Sequence, residues 1–166
     1  TYLQSELWKF GISGDIPILV ARIQDVNDIY VIEDLLKAYE WIRLKNIKMD
    51  FVILDEEKYS YDSYVREAIE NAILNSHQAY LKNIPGGIFV LSESEMTKED
   101  IDLFLFRANV LVDCKAGLAV SHLKELEEEF LEKQKNIGKD LVKNKLLIEE
   151  KMEISHPVKE REKLKY

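Results

Sequence analysis

The sequence predicts a small three-layer α/β domain, a βαβαβα unit with a mainly parallel sheet of about three strands, followed by a C-terminal helical extension. Three short apolar runs each precede a stretch in which apolar residues recur at helical spacing. Strands that alternate with helices pair most simply in parallel, because each helix forms the crossover connection. Two strand orders, 3-2-1 and 2-1-3, remain open. We place the α/β domain at residues 1–115 and the extension with its charged tail at residues 116–166.

The first half of the domain supplies two strands and one helix. An almost unbroken apolar run predicts the first strand at about 16–24. Asp28 is placed as the N-cap of the first helix, whose apolar stripe spans 32–42. The second strand is predicted at 49–55, because this apolar run is too short for a helix.

The second half of the domain repeats the pattern. A second amphipathic helix is predicted over 65–80, and a proline and two glycines then introduce a third strand at 88–91. Thr97 and Asp100 have the spacing of a capping box, with aspartate in place of the usual glutamate. They predict the start of a third helix whose apolar residues extend over 101–112.

Charge and composition disfavour several classes of function. The net charge of -8 argues against a nucleic-acid partner, since phosphate contacts require an excess of Lys and Arg. No apolar stretch approaches the ~20 residues of a membrane span, so no membrane contact is expected. Cys114 is the only cysteine, which favours a reducing, cytoplasmic location. A catalytic thiol would need a nearby base, and the sequence indicates none.

The loop from Gly11 to Asp15 carries a Gly-x-Ser-Gly-Asp pattern that could suggest a nucleophile elbow. That motif places its serine between a strand and a helix, whereas Ser13 precedes a strand. A phosphate-binding loop is also disfavoured, because the two glycines do not open a helix. The pattern therefore predicts no catalytic residue.

We interpret this loop as structural instead. Trp8 and Phe10 are expected to anchor the segment, while Gly11 and Gly14 permit tight turns and close backbone approach. Asp15 is expected to be buried and to accept hydrogen bonds from the loop's own amides.

Acidic residues and histidines give weak signals. A small enzyme that uses Asp25, Asp55 and Glu56 at the carboxyl edge of the sheet is the least favoured hypothesis, because nothing supplies a nucleophile or a cofactor loop. Asp50 lies at the other end of the second strand, too far away for paired acid–base work. The three histidines lack the spacing of metal ligands, so neither a metal nor a cofactor is expected.

A tyrosine-rich loop follows the second predicted strand. Tyr59, Tyr61 and Tyr64 could stack on a sugar ring, and open α/β sheets bind ligands beyond the carboxyl ends of their strands. A mobile loop with incidental tyrosines is the favoured interpretation. A module that binds β-glucan through these side chains remains the alternative function.

One block of sequence has a specific resemblance. Leu7-Trp8-Lys9-Phe10-Gly11-Ile12-Ser13-Gly14-Asp15-Ile16-Pro17-Ile18 resembles the LW-x-x-GISGD-x-PI signature of cyclic β-1,2-glucan synthases, very large proteins related in part to cellobiose and cellodextrin phosphorylases. The resemblance covers about residues 3–120 and includes the helix block 38–45 and the strand blocks 50–54 and 86–91.

The resemblance implies that this chain is a segment of a larger protein. In that family the segment looks like a connector between β-sandwich modules of the phosphorylase-like half, whose catalytic acid lies in a helical barrel. The glycosyltransferase half uses UDP-glucose and is embedded in the membrane. Motifs of neither half occur in this sequence, so no catalytic residue is carried over.

The leading hypothesis is therefore a non-catalytic connector that docks on flanking β-sandwich and helical-barrel modules of the same parent chain. Trp and Arg are enriched at such contacts, which adds Trp41 and Arg43 to the expected docking surface. Exposed docking surfaces also allow a homodimer of the isolated segment. The residues expected to dock or to shape the surface are Trp8, Phe10, Gly11, Ser13, Gly14, Asp15, Pro17, Trp41 and Arg43.

Overall fold

A computed structural model describes residues 2–58 and 61–117, together with the single positions Glu128, Leu131, Glu132, Lys135, Asn136 and Lys139. Four strands and three α-helices alternate along the described chain, as β1 (Ile18–Ile23), α1 (Ile29–Leu44), β2 (Asp50–Asp55), α2 (Tyr64–Asn75), β3 (Ile88–Ser92), α3 (Lys98–Arg107) and β4 (Val110–Asp113). The predicted α/β class is confirmed, with four strands instead of three. The extension predicted at 116–166 lies almost entirely outside the described residues.

The sheet is parallel throughout and has the order β3-β2-β1-β4. This order contains 3-2-1, one of the two arrangements that the sequence allows. β1 is central: Leu19 is in register with Phe51 of β2 on one side and with Val110 of β4 on the other. No helix among the described residues is both long enough and apolar enough to cross a membrane.

The fourth strand corrects the predicted third helix. The apolar residues at 101–112 suggest one continuous helix, but α3 ends at Arg107 and Val110–Asp113 form β4. Asn109 lies between α3 and β4 and is bonded to the first residue of β1. Its side-chain oxygen accepts from the Ile18 amide at 2.8 Å, and its own amide donates to the Ile18 carbonyl at 2.9 Å. A short apolar run is ambiguous between helix and strand, and pairing with β1 decides the conformation here.

Two apolar clusters cover opposite faces of the sheet. The face with α1 and α2 buries the larger cluster, and Leu131 packs against it from the part of the chain beyond Gly117. The other face is covered by α3 and by a 3₁₀-helix at Gln4–Phe10. This division follows from right-handed crossovers, because the chain moves in one direction from β1 to β3 and then reverses to reach β4.

Helix ends were predicted with mixed success. The capping box is confirmed: the Thr97 hydroxyl accepts from the Asp100 amide, and the Asp100 carboxylate accepts from the Thr97 amide, both at 3.1 Å. Asp28 is the N-cap of α1 by position, without a capping hydrogen bond from its side chain. The second helix ends at Asn75 and not near Tyr80, because His77 takes a left-handed conformation with φ 59°.

Candidate functional site

The glycines of the Gly11–Pro17 loop are required by its geometry. Gly11 ends the first 3₁₀-helix with φ 79°, and its amide donates to the Trp8 carbonyl at 3.0 Å. Gly14 has φ 76°, and a Cβ there would lie 2.7 Å from Cγ of Gln4. An L-residue with a side chain is therefore disfavoured at Gly14 by conformation and by space together.

Polar contacts close this loop on the preceding 3₁₀-helix. Gln4 donates from Nε2 to the Ser13 carbonyl at 2.9 Å and to Oδ1 of Asp15 at 2.7 Å. The indole Nε1 of Trp8 donates to the same Ser13 carbonyl at 3.2 Å, while its side chain remains 65% exposed. The expectation that Asp15 is buried among loop amides is wrong, because its side chain is exposed and is bonded by Gln4.

Apolar side chains hold the same segment against the sheet. Phe10 meets Phe104 of α3 edge to face, with ring centroids 5.0 Å apart. Ile12 is buried in the cluster on the α3 face. Pro17 is also buried, and its carbonyl accepts from the Asp50 amide at 2.9 Å, which ties the loop to the start of β2.

The C-terminal end of α1 carries the other two residues of the predicted docking surface. Arg43 is half-buried, with its guanidinium carbon 5.7 Å from the ring centroids of both Tyr39 and Tyr80. Trp41 is 55% exposed, and the ammonium of Lys45 lies 4.9 Å from its ring centroid.

A groove of about 540 Å³ joins the loop and the helix end at the amino edge of the sheet. Ser13 and Asp15 line it from the loop, Arg43 from the end of α1, and Gly86 from the turn before β3. The structure thus brings three of the predicted docking residues to one groove, although they come from two separate stretches of sequence.

The floor of this groove is fixed by the backbone of Gly86. Its carbonyl accepts from the Tyr39 hydroxyl at 2.6 Å, and its amide donates to Oδ1 of Asp50 at 2.7 Å. Burial raises the pKa of Asp50 to about 6, although the Gly86 hydrogen bond acts in the opposite direction. Burial also raises the pKa of the Tyr39 hydroxyl, so this group stays a neutral donor.

At the opposite, carboxyl edge of the sheet, charged side chains pair with one another. Arg22 of β1 donates from both Nε and a terminal nitrogen to Oε1 of Glu93, at 3.0 and 2.6 Å. Its Nε also lies 2.9 Å from Oε1 of Glu56. Burial raises the pKa of Glu56, and the Arg22 charge opposes this. The sequence does not predict this cluster; its one signal is a charged residue inside an apolar strand.

The three carboxylates of the enzyme hypothesis each bind a different partner and do not form one site. Asp25 caps a 3₁₀-turn by accepting from the Asn27 amide at 2.9 Å. Glu56 pairs with Arg22, as above, and Asp55 accepts from the Glu57 amide at 2.9 Å. Asp55 lines a polar cavity of about 370 Å³, which includes neither of the other two. In the described part of the chain, no group of three His, Cys, Asp or Glu residues is arranged to hold a metal ion.

Two tyrosines of the sugar-stacking hypothesis, Tyr61 and Tyr64, lie at the same carboxyl edge. Tyr61 is fully exposed and Tyr64, the first residue of α2, is 60% exposed. The Tyr64 hydroxyl lies 3.4 Å from Oδ2 of Asp62. Tyr59 lies outside the described residues.

Cys114 is not placed as a nucleophile. Its side chain is buried in the larger apolar cluster, directly after β4. Burial raises the pKa of its thiol to about 12, and the neighbouring Asp113, Asp28 and Glu56 charges add to the shift. The thiol therefore remains protonated at neutral pH.

Similarity to a known protein covers part of the chain. No family model matches the chain. A stretch of 72 residues, 43% of this chain, is 35% identical to part of the cyclic beta-(1,2)-glucan synthase NdvB of Rhizobium meliloti (strain 1021). The chain spans about 2% of the length of that relative. It therefore contains a segment related to a small part of a cyclic glucan synthase.

Proposed function

We propose that this chain is a non-catalytic connector module of a larger carbohydrate-active protein similar to cyclic β-(1,2)-glucan synthase. The similarity to NdvB supports the link to a larger protein, since the match covers only 2% of that protein. In such a protein the module would hold β-sandwich and helical-barrel modules in fixed relative positions.

The observation that carries the proposal is the pairing of Arg22 with Glu56 and Glu93. Open α/β sheets usually place ligand-binding and catalytic groups beyond the carboxyl ends of their strands. Here Glu93, a buried acid at that edge that is 5% exposed, is paired with an internal arginine. Both glutamates are therefore paired within the domain, which disfavours a role for either as a catalytic group.

The opposite edge has the character of a contact surface. Trp8 and Trp41 expose more than half of their side chains, although large aromatic residues are usually buried in an isolated domain. Aromatic and arginine side chains dominate the binding energy of protein interfaces. We therefore assign docking to the Trp8–Pro17 segment together with Trp41 and Arg43.

The direct test of docking uses the full chain and the flanking β-sandwich and helical-barrel modules of its parent, each as a separate protein. Isothermal titration should show saturable binding that is weakened by Trp8→Ala and Trp41→Ala. Leu74→Ala, an exposed site on α2, is the matched control and should bind as the unchanged chain does. Absence of binding to either module would contradict the connector function.

Two further measurements test the competing functions. The full chain is incubated with β-1,2-glucan and inorganic phosphate, and release of glucose 1-phosphate is assayed; we expect none, and any release that scales with the protein overturns the proposal. β-1,2-Glucan oligosaccharides are then titrated to millimolar concentration while amide resonances near Tyr61 and Tyr64 are followed. Saturable shifts that Tyr61→Ala and Tyr64→Ala abolish would favour a carbohydrate-binding module instead.

A further inference from the structure

The arginines of the described residues differ in how they are paired. Arg22 and Arg66 lie within ion-pair distance of glutamates, and Arg107 donates twice to the backbone carbonyl of Tyr2, at 3.1 and 2.8 Å. Arg43 forms no ion pair with any carboxylate in the described parts of the chain, although it is half-buried. A partly buried charge without a counter-charge is costly, because burial removes part of the water that would solvate it.

The guanidinium of Arg43 is nevertheless held in place. The ring centroids of Tyr39 and Tyr80 each lie 5.7 Å from its central carbon. One terminal nitrogen of the guanidinium donates to the Tyr80 hydroxyl at 3.3 Å. Tyr39 is itself fixed by its hydrogen bond to Gly86. An arginine that is oriented in advance loses little conformational entropy when it binds a carboxylate.

The groove around Arg43 is cationic on an acidic protein. Lys48 lines it together with Arg43, and Asp15 is the one acid in its lining. The chain as a whole has a net charge of -8. A local excess of positive charge therefore favours an acidic partner over a neutral or basic one.

We propose that this groove binds an extended acidic peptide segment of an adjoining module, with one carboxylate paired to Arg43 and a second charge near Lys48. The proposal rests on the connector function and adds the chemistry of the partner. A groove of about 540 Å³ accommodates several side chains of such a segment. The Ser13 hydroxyl, which accepts from the Asp15 amide, can donate to the backbone of the bound peptide.

The test titrates the full chain with a short capped peptide of alternating Glu and Gly, and follows the Arg43 side-chain resonance and the Gly86 amide by NMR. The matched peptide of alternating Gln and Gly, and inorganic phosphate, are titrated separately. We expect saturable shifts with the Glu peptide alone, and weaker binding as salt is added. Shifts with phosphate but not with the Glu peptide would make the groove a small-anion site and overturn the proposal.

Substitutions locate the binding. Arg43→Gln should weaken the Glu peptide by about tenfold, the usual effect of losing a charged hydrogen bond. Lys48→Gln, at an exposed site, should weaken binding of the Glu peptide by about threefold. This variant still tests the proposal if Arg43→Gln does not fold. Arg66→Gln, which removes an arginine paired with Glu70 on α2, is the matched control and should leave binding unchanged.

Equal binding by the Lys48 variant and the unchanged chain, or shifts located away from Arg43 and Gly86, would contradict the proposal. Its failure is separable from failure of the connector function. Docking of the flanking modules through Trp8 and Trp41 can persist when the acidic peptide does not bind, and the two are measured by different titrations.

Discussion

Asp50 offers a sharp test of the structure, because it is an ionisable residue inside the domain. Asp50 is the first residue of β2 and is 1% exposed. Oδ1 accepts from the Gly86 amide at 2.7 Å, and the Asp50 amide donates to the Pro17 carbonyl. Burial disfavours the ionised form and raises the pKa from 3.8 to about 6, even though the Gly86 hydrogen bond lowers it.

The sign and size of the effect on stability follow from this pKa. Well below pH 3.8 the carboxyl is protonated in both the folded and the unfolded chain, so it causes no pH dependence there. Between 3.8 and about 6 the folded chain keeps a proton that the unfolded chain loses, and the free energy of unfolding therefore falls as pH rises. At about 1.4 kcal/mol per pKa unit, the full loss is about 3 kcal/mol above the folded pKa.

Asp50→Asn isolates this contribution. The variant keeps an oxygen that can accept from the Gly86 amide, but it carries no titrating group. Urea unfolding followed by far-UV circular dichroism gives the free energy of unfolding of both proteins from about pH 4 to about pH 7.5. We expect the stability of the variant relative to the original chain to rise by about 2.5 kcal/mol across this interval, because the unfolded chain is already partly ionised at its acid end.

A difference that stays constant with pH would refute the reasoning, since Asp50 would then ionise as easily in the folded chain as in the unfolded one. Asp100→Asn is a control of opposite sign. Partial burial tends to raise the pKa of Asp100, but its hydrogen bonds with Lys9 and Thr97 lower it overall. The Asp100 carboxylate therefore stabilises the fold once ionised, and removing it should cost more at neutral pH than in acid.

Two further substitutions test the packing around the site. Arg22→Gln leaves the buried Glu93 carboxylate without its cation and should lower the free energy of unfolding by about 3 kcal/mol. Adding Glu93→Gln should restore most of the lost stability. A double variant that is no more stable than Arg22→Gln alone would contradict the pairing. Gly87→Ala should lower the free energy of unfolding by about 3 kcal/mol or more, because a Cβ there would lie 2.0 Å from the Leu81 carbonyl oxygen. A melting temperature close to that of the original chain would contradict this close approach.

Local sequence signals were sufficient for most of the elements. The apolar runs of β1 and β2 are buried on both faces, which produces a continuous pattern that is easily recognised. Thr97 and Asp100 define the start of α3 because a capping box needs only four consecutive residues. β4 was missed because alternate burial over Val110–Asp113 is too short to differ from the end of an amphipathic helix.

The candidate site was predicted in pieces. The loop glycines and Arg43 were identified as structural or docking residues, since a pair of glycines and a helix that carries Trp and Arg can be recognised in the sequence. Their meeting in one groove was not predicted, because it depends on the turn at Gly86 and on the start of β2. The Arg22–Glu93 pair joins residues 71 positions apart, and no local pattern specifies such a contact.

The sequence by itself determined the alternation of strands and helices, the class of the fold and the tight glycine loop before β1. Those features depend on backbone preference and on the period of apolar residues, which are properties of neighbouring positions. The tertiary structure alone decided the fourth strand, the exposure of Asp15, and the assembly of a cationic groove at one edge with a neutralised acidic cluster at the other. These depend on which distant side chains become neighbours, and the parallel pairing of β1 with two flanking strands sets that arrangement.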